Sequence, residues 1–315
     1  MRDLRILFMG TPDFAVETLK TIIENKYNVV GVITAPDKPA GRGRKLRASA
    51  VKEYAVSKNL KILQPTNLKS EAFIKELESL KANLNIVVAF RMLPKIVWNM
   101  PEYGTFNLHA SLLPDYRGAA PINWAIINGE QKTGITTFFI DEKIDTGHVI
   151  LQKEIEIKNT DSAGNLHDRL MTNGAELVLG TIKAIESNTV SVQPQPLDST
   201  FKTAYKLNRE NTKINWEETI ETINNLIRGL SPYPSAWCQL QNNGVVENIK
   251  IYTANPIIEV HSHDIGKIII EDSIMKVAVK SGYIQIDKLQ LPGKKAMASK
   301  ALLNGYVFYR DAKMS

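Results

Sequence analysis

The chain has 315 residues, of which 43% are hydrophobic and 23% are charged, a composition typical of a folded globular protein. At roughly 100–200 residues per domain, this length predicts about two domains. The single cysteine, Cys238, excludes an intrachain disulfide framework and a metal site built from several cysteines. Because no stretch has the roughly 18 apolar residues of a membrane helix and no secretion signal is recognisable, we expect a cytoplasmic protein that does not bind membranes.

Positive charge is concentrated in two parts of the chain, whose net charge is +6. Residues 276–315 hold eight lysines and arginines against two acidic residues, and we call them the C-terminal basic block. A second cluster contains Lys38, Arg42, Arg44, Lys45, Arg47 and Lys52. Two separate basic surfaces are typical of binding to a phosphate backbone, although lysine-rich segments also serve solubility alone.

The first 186 residues alternate between short β-rich runs and amphipathic helical patterns. The predicted strands are residues 5–9, 28–34, 61–64, 85–90, 105–110 and 134–140. The predicted helices are residues 14–24, 50–57, 71–81, 95–100, 122–128 and 164–186. Several strands are continuously apolar, which is typical of strands buried on both faces. The alternation predicts a Rossmann-like α/β domain with a mostly parallel sheet, and a site at the carboxyl ends of its strands.

The first strand-to-helix turn reads Gly10-Thr11-Pro12-Asp13. It predicts Thr11 as the N-cap of the first helix and Pro12 as its first helical residue. The turn lacks the Gly-x-Gly-x-x-Gly fingerprint of dinucleotide binding. A nicotinamide or flavin cofactor is therefore not expected.

The C-terminal third has a different pattern. Residues 190–207 have the composition of a linker, which predicts a catalytic domain at 1–189 and a second domain at 208–315. In the second domain a helix at 217–228 precedes β-rich runs at 236–241, 250–253, 266–270, 275–278 and 283–291. Short strands separated by turn residues predict a small OB-like antiparallel β-barrel, an architecture that often binds nucleic acids.

Three polar residues are candidates for catalysis. Asn107 and His109 are two residues apart on a predicted strand, so they project from the same face near its carboxyl end. The next strand leads into a loop containing Asp145, which we expect at the same edge, where a carboxylate would orient the imidazole. Each residue taken alone also has a purely structural explanation, such as turn formation.

Other nucleophile and metal signals are weak. Ser111 lacks the Gly-x-Ser-x-Gly elbow, and Cys238 lies in the other predicted domain. The pair His261 and His263 has no third ligand nearby in the sequence, so no metal site is predicted.

The longest motif runs through His109-Ala110-Ser111-Leu112-Leu113-Pro114 and Tyr116-Arg117-Gly118-Ala119-Ala120-Pro121. Together with Asp145-Thr146-Gly147, it resembles the folate-dependent formyltransferase family. The turn after the first strand, the loop at 36–46 and the segment at 291–297 are similar to the members that formylate an aminoacylated tRNA, so the resemblance covers essentially the whole chain. Phe90-Arg91-Met92 departs from those members and is similar to the purine-pathway branch of the family.

This resemblance implies a set of residues and ligands. It implies catalytic roles for Asn107, His109 and Asp145, with 10-formyltetrahydrofolate as the cosubstrate and no metal. The folate-site segment would be Ser111, Leu112, Leu113 and Pro114. The acceptor would be methionylated initiator tRNA, contacted by the OB-like domain and by a basic loop containing Lys38, Arg42, Arg44 and Lys45. A monomer is expected.

Two alternatives remain at this stage. The same catalytic residues could serve a formyltransferase or deformylase that acts on a nucleotide sugar, on glycinamide ribonucleotide or on water. The chain could instead be a non-catalytic RNA-binding translation factor that has kept a folate-like cleft. The basic loop and barrel argue against the first alternative, and the three catalytic candidates argue against the second.

Overall fold

The computed structural model describes residues 1–40, 45–196 and 200–315. The chain divides into two compact units. The sheet unit comprises Met1–Gly118, Thr133–Ile155 and His167–Thr203, and the barrel unit comprises Ala119–Lys132, Glu156–Leu166 and Ala204–Ser315. This division differs from the predicted domains at 1–189 and 208–315, because two short segments before residue 189 pack with the C-terminal residues.

The first part of the chain contains ten strands and six helices in the described residues. The strands are β1 Arg5–Gly10, β2 Asn28–Ile33, β3 Lys38–Ala40, β4 Lys45–Arg47, β5 Ile62–Leu63, β6 Leu84–Val88, β7 Thr105–His109, β8 Arg117–Gly118, β9 Lys132–Phe139 and β10 Val149–Glu156. The helices are α1 Asp13–Glu24, α2 Ala50–Ser57, α3 Glu71–Ser79, α4 Lys95–Trp98, α5 Pro121–Ile127 and α6 Ala163–Glu186. Every strand and helix predicted for this part is present, and most of their ends are shifted by one or two residues from the predicted ends.

The sheet unit is built on a seven-stranded sheet with the order β10-β9-β7-β6-β1-β2-β5. The pairs β1–β2, β1–β6, β2–β5 and β6–β7 are parallel, which confirms the predicted mostly parallel sheet. Strand β6 is buried along its whole length, as its apolar sequence predicts. On one face, Leu7, Ile33, Phe73 and Leu77 pack in a common core between the sheet and α3.

Two local expectations for this unit are wrong. Strand β9 pairs antiparallel with β7, with Phe139 opposite Phe106, so its carboxyl end lies beside the start of β7 rather than at the predicted edge. A strand pattern carries no direction, and only the pairing reveals it. Helix α1 begins at Asp13 with Pro12 as its N-cap and no side-chain cap bond, so Pro12 is not the first helical residue and Thr11 is not the cap.

Strand β11, Thr203–Ala204, lies where the sheet unit ends along the chain and the barrel unit resumes. The elements that follow all belong to the barrel unit: α7 Ile220–Leu230, β12 Ala236–Asn242, β13 Val245–Ile258, β14 Ile268–Glu271, β15 Ile274–Val279, β16 Gly282–Gln290, β17 Met297–Ala298, α8 Ser299–Leu303 and β18 Lys313–Met314. Its sheet has the order β14-β15-β16-β13-β12-β18, and the pairs between these neighbours are antiparallel. The sheet curls into a half-barrel, which confirms the predicted small antiparallel domain.

The two edges of this curled sheet approach one another. Lys267 and Lys313 form an antiparallel bridge, and the Met314 amide donates to the Gly266 carbonyl at 2.8 Å. Gly266 has a φ of +85°, and a Cβ there would lie 2.2 Å from the Met314 oxygen, so the closure requires glycine. The core beneath includes Ile227 of α7 and Ile251 of β13, both almost fully buried.

The predicted linker makes hydrogen bonds with the rest of the sheet unit through its described residues between 190 and 203. Val149 and Gln193 exchange two main-chain hydrogen bonds of 2.8 and 2.9 Å. The Tyr116 amide donates to the Lys202 carbonyl at 2.6 Å, and the Lys202 amide donates to Asp115 Oδ1 at 3.0 Å. These contacts make the segment a strap across the loops that follow β7.

Candidate active site

Strand β7 presents two polar side chains within an apolar environment. Asn107 is half-buried and His109 is buried. The alternate residues of the strand, Phe106 and Leu108, are buried and face the core. The side chain of Asn107 makes no hydrogen bond with the part of the chain that the structure describes. Its carboxamide is therefore available to a ligand at this strand end.

The imidazole of His109 has distinct neighbours at its two nitrogens. Nε2 lies 2.8 Å from the main-chain oxygen of Tyr116, which can only accept, so Nε2 carries a hydrogen and donates. Nδ1 faces Asp145, with 3.9 Å between Nδ1 and Oδ2. This separation exceeds a direct hydrogen bond, so Nδ1 is the nitrogen left to interact with a third group.

Asp145 reaches His109 by a loop that runs back from the far end of β9. The residue has a φ of +55°, in the left-handed region that non-glycine residues seldom adopt. Its Oδ2 atom accepts a hydrogen bond of 3.0 Å from the amide of Gly118. The structure thus brings Asp145 beside His109 as expected, by a path opposite to the one that the sequence suggested.

The turn at 116–118 contacts both side chains. Tyr116 provides the carbonyl for His109, and Gly118 provides the amide for Asp145. Between them, the Arg117 guanidinium donates to Gln195 Oε1 through Nη2 at 2.6 Å and Nε at 3.2 Å. The motif that carried the family resemblance therefore forms a scaffold for the imidazole and the carboxylate.

The predicted folate-site segment follows β7 directly. Ser111 is fully buried, and its hydroxyl donates to the Asp115 carbonyl at 2.7 Å. Leu113 is also buried, and its carbonyl accepts from Gln152 at 2.7 Å. Leu112 and Pro114 are half-buried and are the members of the segment with more side-chain surface left for a ligand.

The residues that depart from the tRNA-formylating pattern lie after β6. The Arg91 guanidinium donates to the carbonyl of Thr66 at 3.0 Å and to that of Pro65. Phe90 is partly buried against the core of the sheet unit, and Met92 is 72% exposed. Arg91 thus ties the end of β6 to the neighbouring loop.

The predicted basic loop is a hairpin formed by β3 and β4. Lys38 pairs with Arg47 across the hairpin, and its side chain is exposed. Arg42 and Arg44 lie outside the described residues, as does the side chain of Lys45. At the base of the hairpin, Asp37 Oδ2 accepts from Lys52 at 2.6 Å.

A second hydrogen bond holds the base of this hairpin. Gln64 Nε2 donates to Asp37 Oδ1 at 2.8 Å. The hydrogen bonds from Lys52 and then Gln64 lower the pKa of Asp37 below its ordinary value. Lys52 is therefore neutralised within the protein, which removes one member of the predicted basic cluster.

The C-terminal basic block lies on the barrel unit. Lys276 forms an ion pair of 2.9 Å with Glu271, and this hydrogen bond raises its pKa. The other seven basic residues are exposed and have no ion pair with the described residues: Lys280, Lys288, Lys294, Lys295, Lys300, Arg310 and Lys313. The C-terminal basic block therefore presents seven cations that are unpaired among the described residues.

Sequence reasoning assigned no role to two residues that shape the site, Gly147, which entered only as part of a family motif, and Gln195. A Cβ at Gly147 would lie 1.6 Å from the Phe139 oxygen, so the Asp145 loop passes too close to β9 for any side chain. Gln195 hydrogen-bonds this same loop. A glycine in good turn sequence and a glutamine between prolines carry no signal of these contacts.

Within residues 1–40, 45–196 and 200–315, no group of three or more His, Cys, Asp or Glu side chains is arranged to hold a metal ion. No helix in these ranges combines the length and apolar character needed to cross a membrane.

Comparison with known proteins defines the class to which this fold and site correspond. Residues 4–182 match the formyl transferase family model, and residues 206–307 match the model of the formyl transferase C-terminal domain. The chain belongs to the formyl transferase family.

Curated relatives narrow this class to one enzyme. The chain is 61% identical to the methionyl-tRNA formyltransferase of Flavobacterium johnsoniae, and the match covers 100% of both chains. It is 58% identical to the methionyl-tRNA formyltransferase of Flavobacterium psychrophilum, over 98% of each chain.

A solved structure supports the fold. The sugar 3N-formyl transferase WlaRD, crystallised in the presence of dTDP and 5-N-formyl-tetrahydrofolate, has a TM-score of 0.64 at 21% identity. That match covers 94% of this chain and 100% of the other.

Proposed function

We propose that this protein transfers a formyl group from 10-formyltetrahydrofolate to the α-amine of methionine esterified to initiator tRNA. The observation that carries the proposal is the 61% identity to a methionyl-tRNA formyltransferase along the whole of both chains. The arrangement of Asn107, His109 and Asp145 supports it, because these groups suit acyl transfer to an amine. The protein acts as a cytoplasmic monomer.

The surroundings of β7 fit a folate cosubstrate. Asn107 has a carboxamide without a partner among the described residues, and Leu112 and Pro114 offer partly exposed apolar surface in the segment that follows the strand. A largely apolar surface with a few placed polar groups is typical of sites for small organic ligands. When bound, 10-formyltetrahydrofolate supplies an activated formyl carbon, so no covalent intermediate on the protein is needed.

Asn107 and His109 serve as hydrogen-bond donors to the formyl oxygen. Attack by the amine places negative charge on that oxygen, and donors that are already in position stabilise this charge. For His109 the donor is Nδ1 in its protonated form, because Nε2 is committed to the Tyr116 carbonyl. The fixed Nε2 contact also holds the ring in the orientation that aims Nδ1 at the site.

Asp145 serves as the proton acceptor and carrier. The attacking amine must lose a proton, and the N10 leaving group must gain one. Asp145 Oδ2 and His109 Nδ1, 3.9 Å apart, can both contact one atom placed about 2.9 Å from each. This geometry allows the carboxylate to take the proton from the amine while the imidazolium polarises the formyl group.

The tRNA is held by charge from both ends of the chain. The C-terminal basic block contacts the phosphate backbone, and its seven exposed cations should make the affinity for tRNA strongly dependent on salt. The hairpin of β3 and β4, with Lys38, Arg42, Arg44 and Lys45, contacts the acceptor end, and Arg42 guides the aminoacyl group toward Asn107 and His109.

A substrate panel tests this proposal. The full-length protein is incubated with 10-formyltetrahydrofolate and, in separate reactions, with methionylated initiator tRNA, a dTDP-linked amino sugar, glycinamide ribonucleotide or buffer alone. We expect formylmethionyl-tRNA as the product and no turnover in the other reactions. Formylation of the sugar or the ribonucleotide, or hydrolysis of the folate without tRNA formylation, would favour another formyl transfer reaction. Binding of tRNA without any product would indicate a non-catalytic factor.

A further inference from the structure

A buried glutamine from the strap holds the loop that carries Asp145. Gln195 is 7% exposed, although Pro194 and Pro196 on either side are exposed. Its Nε2 atom donates to the main-chain oxygen of Asp145 at 3.0 Å and to that of Gly147 at 2.7 Å. Its Oε1 atom accepts the two hydrogen bonds from Arg117. All four hydrogen-bonding positions of the carboxamide are therefore used.

The orientation of this carboxamide is fixed by its partners. A guanidinium can only donate, and main-chain oxygens can only accept, so the oxygen of Gln195 must face Arg117 and the nitrogen must face the loop. Exchanging the two atoms would oppose donor to donor on one side and acceptor to acceptor on the other. The contact is thus specific for a side-chain amide.

The loop needs such a contact to keep its conformation. Asp145 occupies the left-handed region, which costs a non-glycine residue on the order of 1 kcal/mol or more. Gly147 presses against the Phe139 oxygen on the other side of the loop. Gln195 binds the main chain at both of these residues, and the direction of the Asp145 carboxylate toward His109 and the Gly118 amide depends on that main chain.

We propose that Gln195 is a positioning residue for formyl transfer, which acts by holding the Asp145 carboxylate beside Nδ1 of His109. The inference rests on the proposed function, in which Asp145 carries the proton. Gln195 contacts the main chain of Asp145 and not its carboxylate, so its effect on the reaction passes through the loop. A glutamine that merely stabilised the fold would change the melting temperature and not the rate of the folded enzyme.

Substitutions at position 195 separate these roles. Gln195→Ala removes all four hydrogen bonds, whereas Gln195→Glu keeps both bonds from Arg117 and places a carboxylate oxygen against the two loop carbonyls. We expect both variants to lower kcat roughly 10–100-fold, because a displacement near 1 Å at a reacting group has an effect of this size. The KM values for tRNA and folate should stay within about threefold. Gln193→Ala is the matched control, because the side chain of Gln193 is exposed, and it should behave as wild type.

A double-mutant cycle with Asp145→Asn then identifies the route of the effect. If Gln195 acts through Asp145, Gln195→Ala should change the single-turnover rate of the Asp145→Asn protein by less than about twofold. Multiplicative losses in the double variant, a wild-type kcat in either folded variant, or failure of both variants to fold would overturn the inference. A wild-type rate for Asp145→Asn alone would instead refute the catalytic role of Asp145 in the proposed function.

Discussion

Replacing Gly147 with alanine measures how precisely the Asp145 loop must be placed. The new Cβ would lie 1.6 Å from the Phe139 oxygen, and real Cβ atoms essentially never come within 3.0 Å of another heavy atom. The loop must therefore move by about 1.4 Å, and a displacement near 1 Å at a reacting group lowers rates by roughly 10²-fold. We expect Gly147→Ala to reduce kcat by about this factor, with little change in the KM for tRNA.

Steady-state formylation of methionyl-tRNA, together with the thermal unfolding midpoint, provides the assay. Gly180→Ala is the control in the same unit, because a Cβ there would lie an ordinary 3.6 Å from Leu151 Cδ1. Gly180 is inside α6, where alanine is favoured over glycine by about 1 kcal/mol, so this control should keep full activity and melt no earlier than wild type. A Gly147→Ala protein with wild-type kcat would refute the reasoning about the loop.

Three further predictions concern other parts of the molecule. Asn107→Ala should lower kcat roughly 10²–10³-fold by removing one donor to the formyl oxygen, and an unchanged kcat would exclude that role. Burial raises the pKa of the Cys238 thiol to about 12, so a maleimide at pH 8 should label the protein only after denaturation, and rapid labelling of the native protein would contradict this. The pKa of Asp37 is lowered by Lys52 and Gln64, so its stabilising effect is present above the unfolded pKa and is lost as pH falls through the folded pKa. The free energy of unfolding should therefore fall more steeply in acid, below about pH 4, for wild type than for Asp37→Asn, and equal slopes would contradict it.

The sequence predicts the central strands and helices because their patterns are strong. A buried parallel strand such as β6 is continuously apolar, and Ala50–Ser57 forms the helix that its pattern indicates, with the Ser49 hydroxyl capping it through the Lys52 amide. Strand β10 is absent from the predictions because most of its residues are exposed, so it lacks the alternation of a half-buried strand.

The candidate site is only partly predictable for a related reason. Asn107 and His109 share one strand, so their common face follows from the period of two. The approach of Asp145 depends on a return loop, and the role of the strap depends on hydrogen bonds across 48–50 residues between Gln195 and that loop. The polar and proline-rich composition of this segment is typical of a linker. Its contacts cannot be predicted from the sequence, because the hydrogen-bond partners of Gln195 lie about 50 residues away.

The domain boundary illustrates the same limit. The domain boundary predicted from the sequence implies that a chain ending near residue 190 would form a folded sheet domain that still binds folate. In the structure this cut would remove Gln195, and it would remove α7, against which α5 packs with Asn123 Nδ2 donating to the Gly229 carbonyl at 2.8 Å. We therefore expect the truncated chain to lose the order of the Asp145 loop and to expose the apolar face of α5.

The single-turnover rate of the Asp145→Asn protein tests the central claim most directly. Asparagine has the same shape, and its oxygen can still accept the 3.0 Å hydrogen bond from Gly118, so the fold and the unfolding midpoint should be retained. Without a carboxylate to take the proton from the amine, formylmethionyl-tRNA should form roughly 10²–10⁴ times more slowly than with wild type. A folded Asp145→Asn protein that transfers the formyl group at the wild-type rate would contradict the account.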